Sequence, residues 1–340
     1  MEHPLLVQAR RLAAEVLVPH AERVEREGVP VGHVEAVKRA GVLGVNAPVE
    51  YGGSGASAGV GREVAEVLAG ACCSTWFVQT QHHTPVRTLV RGEAGVRERL
   101  LGPLARGELL SGVAYAHLRA YPRRPVRVVD ERGGVRFDGR VPWFTGWGLN
   151  DVMLLAGVTD GGEVVFAFVE ARERAGLRAS EPLRLAALEG ARTVSLELDG
   201  LWVGEEAVAS RVPYEEWARE DRAKAANANP AVFGIAGAAL ELAGMSTERW
   251  ADVRGRAYAL ADDPNSSPDE RLAVKVEAFQ LMQTATTAAV VAGGGRSMLL
   301  GSKAQRLARE GLFLLVQAQT AQSRTAHLNA LAHPGTAPFE

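Results

Sequence analysis

Apolar residues recur at three- and four-residue spacing from Leu5 to about Leu110. This period is typical of helices that bury one face. The clearest interruption is residues 50–55, EYGGSG, because a run of glycines does not continue a helix. The helical spacing resumes after this break, so the pattern predicts a domain of several helices over residues 1–110.

Between Ser111 and about Val212 the period changes to two, which is typical of strands. Residues 130–134, DERGG, and residues 159–162, TDGG, each separate two alternating runs. Short glycine-containing segments in such positions predict hairpins. We therefore predict an antiparallel β domain over residues 111–212.

The helical spacing returns after Tyr214 and continues towards the C-terminus. Residues 267–270, SPDE, combine a capping serine, a proline at the first helical position and a glutamate at the third. This combination predicts that a long helix begins there and runs towards Gly293. We predict a C-terminal helical bundle over residues 213–340, and hence a mainly α fold with a central antiparallel β domain.

Composition excludes several classes of function. The formal net charge of the 340 residues is -2, and this balance gives no basic excess for nucleic acid. No signal peptide and no apolar run of membrane-spanning length is visible, so a cytoplasmic protein without a membrane partner is expected. The only cysteines, Cys72 and Cys73, are adjacent in an apolar helical context. They are predicted to be core residues rather than metal ligands or a disulfide.

Four segments resemble, in order, motifs of the acyl-CoA dehydrogenase family. They are residues 40–55, AGVLGVNAPVEYGGSG; residues 106–117, RGELLSGVAYAH; residues 137–151, FDGRVPWFTGWGLND; and residues 188–203, LEGARTVSLELDGLWV. The resemblance covers nearly the whole chain. It implies a small β domain between two helical domains, FAD as cofactor, oxidation of an acyl thioester or a related small substrate, and assembly as a homodimer or homotetramer.

The resemblance also implies residues that contact FAD. In the family a tryptophan and a hydroxyl residue lie against the flavin ring, and Trp143 and Thr145 occupy those two positions. An indole can shield a planar apolar ring, and a hydroxyl can donate to flavin N5. The family's FAD-contacting threonine falls on Thr320. Trp147 has no counterpart and is expected to pack at a sheet edge.

The chain departs from the family where the family has Thr-Glu-Pro followed by Gly-Ser. His117, Leu118 and Arg119 stand there. Tyr115 and His117, two residues apart, are expected on one strand with their side chains turned to the flavin. Arg119 is predicted to contact the cofactor, because a guanidinium can hold a pyrophosphate by charge and fork geometry. The alternative for Arg119, and for Arg123 and Arg124 after it, is a solvated loop.

A catalytic base is missing at the position that the resemblance gives it. Family dehydrogenases use a glutamate to remove the α-proton of the thioester, and that position falls on Ala318, or near Lys224 as in some members. No Asp or Glu occurs in residues 311–337, and Glu220 and Asp221 are expected on a solvated first turn of a helix. We therefore predict slow or no oxidation of straight-chain acyl-CoA.

Three histidines are the remaining candidates for proton transfer, because imidazole changes charge near neutral pH. They are His82, His83 and His117, and a buried packing pair is the alternative for the first two. Three functions stay open. The first is an acyl-CoA dehydrogenase-like flavoprotein with an electron-transfer partner. The second is a flavin monooxygenase of the same fold with a flavin reductase, and the third is a flavin-free, non-catalytic paralogue.

Overall fold

The computed structural model describes residues 2–332, and its first part is helical as predicted. The helices of this part are α1 (Pro4–Leu12), α2 (Ala21–Glu27), α3 (Val31–Arg39), α4 (Ala58–Ala71), α5 (Cys73–Thr80), α6 (His83–Arg91) and α7 (Ala94–Ala105). The break at residues 50–55 lies between α3 and α4. Cys72 and Cys73 are buried and free, as predicted for core residues.

Strands occupy the middle of the chain and form one sheet. They are β1 (Ser111–Ala114), β2 (Val126–Glu131), β3 (Gly134–Phe144), β4 (Val152–Val158), β5 (Glu163–Glu170), β6 (Leu177–Ala179), β7 (Val194–Gly204) and β8 (Val208–Pro213). Their order is β6-β7-β3-β2-β4-β5-β8, with β1 paired to β4.

The sheet is mixed rather than antiparallel, which corrects one part of the prediction. The two predicted hairpins, β2–β3 and β4–β5, are antiparallel. β1 runs parallel to β4, with Ser111 opposite Val152, and β2 meets β4 in parallel at Arg127 and Val158. The reason is that the β2–β3 hairpin lies between β1 and β4 in the chain, so β4 returns to β1 in the same direction. The mainly α fold with a central β domain is confirmed.

The last part is again helical. Its helices are α8 (Tyr214–Ala225), α9 (Pro230–Ala243), α10 (Glu248–Asp262), α11 (Pro268–Gly293), α12 (Lys303–Val316) and α13 (Ala321–Ala332). The predicted capping box of α11 is confirmed: the Glu270 amide donates to Ser267 Oγ at 3.2 Å, and the Ser267 amide donates to the Glu270 carboxylate at 2.8 Å. No helix within residues 2–332 is long and apolar enough to cross a bilayer.

The helical parts share one apolar core, in which Trp76 and Phe233 are buried. A second core fills one face of the sheet around Phe137. A third, with Leu104 and Phe166, joins α6 and α7 to the other face. We propose domain boundaries at residues 110 and 212, where the chain changes from helices to strands and back. The N-terminal and C-terminal helices nevertheless pack together in one apolar core.

Helices α4 and α9 approach closely at two glycines. A Cβ added to Gly70 would lie 2.7 Å from the carbonyl oxygen of Gly234, and one added to Gly234 would collide with the carbonyl of Glu66. Only glycine leaves room for this backbone contact. The spacing of α4 and α9 therefore depends on both positions.

A buried ion pair lies where α12 meets the N-terminal helices. Arg306 Nη1 donates to both carboxylate oxygens of Glu310, at 2.8 and 2.9 Å, and Arg306 Nε donates to Glu22 at 3.3 Å. The exposed fractions of Arg306 and Glu310 are 2% and 1%. The contact with Glu22 links α12 to α2.

Candidate functional site

A cavity of about 240 Å³ lies between α4, α5, α6 and the first turn of α9. Its lining residues are Val45, Asn46, Ala58, Gly61, Arg62, Val64, Ala65, Gln79, His83, Arg87 and Pro230. The lining from α4 is mostly small and apolar, whereas the lining from α5 and α6 is polar. No carboxylate belongs to the lining formed by residues 2–332.

Two polar atoms of the lining lack a hydrogen-bond partner within the described chain. Gln79 is 2% exposed, and its Oε1 has no donor. Arg62 Nε likewise has no acceptor, although Arg62 Nη1 donates to Asp262 Oδ1 at 2.9 Å. Buried polar groups are normally paired, so these two atoms are available to a ligand or to water in the cavity.

His83 and Arg87 line the cavity from α6. Burial lowers the pKa of His83 to about 3, with further lowering by the charges of His82 and Arg87, so the imidazole is neutral. Arg87 is an exposed residue, yet partial desolvation of its guanidinium lowers its pKa. Arg87 Nη2 donates to Thr84 Oγ1 at 2.8 Å, and Arg87 forms no salt bridge within residues 2–332.

The cavity adjoins two segments that the sequence predicts beside the flavin. On one side, Tyr115 is hydrogen-bonded to Thr84 and lies near the positive charge of Arg87. Burial raises the pKa of Tyr115, and these two groups lower it in part. On the other side, the neighbour of Pro230 is Asn229, whose Nδ2 donates to Gln317 Oε1 at 3.1 Å. Gln317 leads into the loop that carries the predicted base position and the predicted FAD-contacting threonine.

The structure gives His82 a different role from His83. Its ring is 0% exposed, with Nε2 3.0 Å from the Leu104 carbonyl and Nδ1 accepting from the Ser111 amide at 3.1 Å. Burial lowers its pKa to about 4. Both nitrogens are therefore occupied by backbone groups, and the ring ties α6 to α7 and β1.

Tyr115 and His117 do not share a strand, which corrects the expectation for this segment. β1 ends at Ala114, and His117 lies in a 3₁₀ turn, Ala116–Ala120. His117 is 4% exposed, with Nε2 2.9 Å from the Ala156 carbonyl, and burial lowers its pKa to about 4. The turn directs His117 onto β4 instead of the face predicted for the flavin.

Arg119 is held by an ion pair. Its Nε and Nη2 each donate to Asp221 at 2.7 Å. The Asp221 side chain is 16% exposed, and it lies in the second half of α8, so its prediction as a solvated first-turn residue is wrong. Glu220 is also beyond the first turn and bonds to Lys224 at 3.1 Å.

Trp143 and Thr145 differ in accessibility. A shift in the β3–β7 register between Val141 and Phe144 turns Trp143 outward, and its side chain is 51% exposed. Thr145 is buried, with Oγ1 3.1 Å from Thr193 Oγ1. Trp147 packs edge-on against Phe144, as expected for a structural role. Of the two predicted flavin contacts on this segment, Trp143 alone presents a free surface.

Thr320 lies before α13. Its hydroxyl donates to Ser323 Oγ at 3.1 Å and accepts from the Ser323 amide at 3.2 Å. Ala318, at the predicted base position, has a φ of 53°. The loop thus provides no acidic side chain, as the sequence predicts.

Sequence reasoning missed most of the cavity. Gln79, His83 and Arg87 follow one another at four-residue spacing across the break between α5 and α6, and this regular spacing was the available signal. Asn46 and Arg62 come from other segments and carry no such signal. Only His83 was identified as a candidate.

Comparison with known proteins finds a family match to the first third of the chain and a relative that matches a shorter segment. Residues 2–108 match the family described as acyl-CoA dehydrogenase, N-terminal domain. A segment of 81 residues is 36% identical to 3-sulfinopropanoyl-CoA desulfinase of Paraburkholderia xenovorans (strain LB400), covering 24% of this chain and 21% of that protein. The match thus spans about a fifth of the relative's length.

Two solved structures share the fold over nearly the whole chain. Butyryl-CoA dehydrogenase from Megasphaera elsdenii has a TM-score of 0.81 at 16% identity, covering 97% of both chains. Dibenzothiophene monooxygenase from Paenibacillus sp. A11-2 has a TM-score of 0.74 at 18% identity, covering 99% of both chains. At these identities the likeness establishes the fold, which serves more than one reaction.

Proposed function

We propose that the chain is an FAD-dependent oxidoreductase of the acyl-CoA dehydrogenase superfamily that acts on an acyl thioester or a related small substrate. The observation that carries this proposal is the cavity beside Tyr115 and Gln317, with its unpaired Gln79 oxygen. The shared fold and the family match support the cofactor.

The residues present fit a flavin in part. The half-exposed indole of Trp143 offers a flat apolar surface that would cover the flavin ring. The polar groups of Thr145, Arg119 and Thr320 each have a partner in the chain, so a contact with FAD would exchange that partner. When bound, FAD would supply the capacity to accept a hydride equivalent from the substrate.

The cavity lining is poorly equipped to remove an α-proton. It contains no carboxylate, and its one imidazole, His83, has a pKa lowered to about 3 by burial. A base of such low pKa gives little driving force for proton transfer at neutral pH. Neutral His83 is better suited to hold a hydrogen bond to the substrate than to take up its proton.

The same lining favours monooxygenation as a second candidate function, because that reaction does not begin with removal of an α-proton. A flavin reductase would then be the partner, whereas a dehydrogenase would use an electron-transfer partner. A cytoplasmic location stays a prediction.

Purified protein is expected to keep FAD through gel filtration, and straight-chain acyl-CoA is expected to bleach the flavin slowly under anaerobic conditions. The loss of a positioned base corresponds to roughly 10²- to 10⁴-fold in rate. Trp143→Ala should weaken FAD retention, whereas Trp202→Ala, which changes another exposed tryptophan of the sheet, should not. The measurements are the flavin absorbance and the anaerobic reduction rate.

Two outcomes would contradict different expectations: the first would refute the cofactor, and the second would refute only the slow reduction. Protein that stays colourless after addition of FAD would support the flavin-free paralogue. Rapid bleaching by butyryl-CoA would show that a base exists and would restore a plain dehydrogenase.

Self-association is expected through the C-terminal helices. Eight apolar residues there are more than half exposed: Val291, Met298, Leu299, Leu300, Leu312, Val316, Leu328 and Leu331. Exposed apolar surface of this kind indicates a protein interface, and we propose a homodimer or homotetramer. Leu300→Asp with Leu312→Asp should reduce the sedimentation coefficient, while Val49→Asp, at an exposed N-terminal position, should not. A wild-type protein that sediments as a monomer at micromolar concentration would refute the proposal.

A further inference from the structure

The cavity between α4, α5, α6 and α9 contains polar groups that an alkyl chain would leave unsatisfied. The amide oxygen of Gln79 has no donor although the residue is 2% exposed, and Arg62 Nε has no acceptor within residues 2–332. A buried polar atom without a partner is costly. The occupant of this cavity is therefore polar.

The charge of the lining indicates the sign of the occupant. Its charged members are Arg62 and Arg87, and no acidic side chain of the described chain belongs to it. Arg62 is neutralised by Asp262, whereas Arg87 donates only to the hydroxyl of Thr84. Arg87 is exposed and has no counter-ion within residues 2–332, so the lining carries a net positive charge.

The size of the cavity indicates which part of a ligand it holds. Its volume is about 240 Å³, below the range of about 300–1,000 Å³ for sites that enclose a whole drug-sized ligand. A short acyl group fits this volume, with its carrier outside. Ala58, Gly61 and Ala65 of α4 add little side-chain volume to the lining.

We propose that this cavity selects a short acyl thioester whose far end carries a carboxylate or an equivalent anion, with Arg87 as the counter-ion. The thioester part of this inference rests on the proposed function. The planar guanidinium matches a carboxylate in a bidentate arrangement. The oxygen of Gln79 accepts a hydrogen bond from a hydroxyl on the same acyl group, beside the anion.

The test compares thioesters of equal carbon number on the protein as purified. Malonyl-, succinyl- and glutaryl-CoA are paired with propanoyl-, butyryl- and valeryl-CoA, and affinities are measured by titration calorimetry. At least one acidic thioester should bind ten-fold or more tightly than its methyl-ended pair. Malyl-CoA should bind more tightly than succinyl-CoA, and Gln79→Met should abolish that difference.

Variants of α6 separate the specific role of Arg87 from a general effect of charge. Arg87→Gln should lower the affinity for the acidic thioester by 10- to 100-fold. It should change the affinity for the methyl-ended thioester of the same length by less than three-fold. Arg87→Lys should retain most of the preference. Arg91→Gln, one turn further along α6 and outside the cavity lining, should retain all of it.

Failure of this inference is distinct from failure of the proposed function. Equal affinity for both members of every pair, no binding of any thioester, or an equal loss for both members in Arg87→Gln would overturn the inference. Flavin content is measured on the same samples. Colourless protein that still prefers the acidic thioester would keep the inference and refute the redox function. A flavoprotein that is reduced equally well by both members of a pair would keep the redox function and refute the inference.

Discussion

Replacing Arg306 by leucine is expected to lower the free energy of unfolding by about 3–5 kcal/mol, because it leaves a buried carboxylate without its partner. Glu310 is 1% exposed, and Arg306 donates to both of its oxygens. Burial raises the pKa of Glu310 to about 7 even beside the guanidinium. Protonation of Glu310 would relieve part of the loss, so the destabilisation should be larger at pH 8 than at pH 6.

The double variant Arg306→Leu, Glu310→Leu distinguishes a lost attraction from a stranded charge. Apolar replacement of both partners of a buried pair is often close to neutral, so this variant should be at least about 2 kcal/mol more stable than Arg306→Leu. Arg256→Leu is the control, since Arg256 is 47% exposed in its pairs with Asp252 and Glu277; an exposed pair contributes about 0–1 kcal/mol. Equal destabilisation by the single and double changes would refute the stranded-charge explanation. The free energy of unfolding of the wild type and the three variants is measured by denaturant titration.

Acid should destabilise the protein at pH values where most of its carboxylates are still ionised. Burial lowers the pKa to about 4 for His82, His117 and His327, which are 0%, 4% and 7% exposed. In the unfolded chain each imidazole binds a proton near pH 6.5, but in the folded chain it does so only near pH 4. The stability that these groups provide is present above pH 6.5 and is lost as the pH falls. Linkage gives a loss of about 2 kcal/mol per histidine at pH 5.

Glu310 acts in the opposite direction. Its pKa is raised by burial to about 7, so the folded chain gains a proton that the unfolded chain does not yet bind, and stability rises as the pH falls through 7. This gain of about 2 kcal/mol offsets one histidine. His83, whose pKa burial lowers to about 3, adds a further loss of about 2 kcal/mol, so the net expectation is a loss of about 6 kcal/mol between pH 7 and pH 5.

Matched variants test the assignment to His82. Glutamine can accept from the Ser111 amide and donate to the Leu104 carbonyl without titrating, so His82→Gln should reduce the pH-dependent loss by about 2 kcal/mol. His3→Asn is the control, because it changes a histidine at the first turn of α1 and keeps a capping acceptor. Stability measured by denaturant titration at pH 7, 6 and 5 that does not change with pH would contradict the expectation.

Local signals in the sequence were enough to predict the helices and hairpins. Four consecutive residues, 267–270, predict the start of α11, and the capping box forms as expected. The parallel pairing of β1 with β4 joins segments about 40 residues apart, and no local pattern records it. For the same reason, the turn after Ala114 that takes His117 away from the expected strand face could not be predicted from alternation.

The candidate site was only partly predictable, and the adjacent histidines show why. His82 and His83 look equivalent in the sequence, yet successive residues of a helix point about 100° apart. One ring therefore meets the backbone of α7 and β1, while the other faces the cavity. Arg62 reaches the same cavity from another helix, through tertiary packing that spacing alone does not record.

The glycine contact between α4 and α9 affects the width of the cavity, although neither glycine lines it. Both helices border the cavity, and their separation is limited by the hydrogen atoms of Gly70 and Gly234. A methyl group at either position would act as a wedge two turns from Arg62 and would widen the space between the helices. A substitution at either glycine could therefore change which ligands fit the cavity, even though every lining residue stays the same. Ligand specificity thus depends in part on the distance between the two helix backbones.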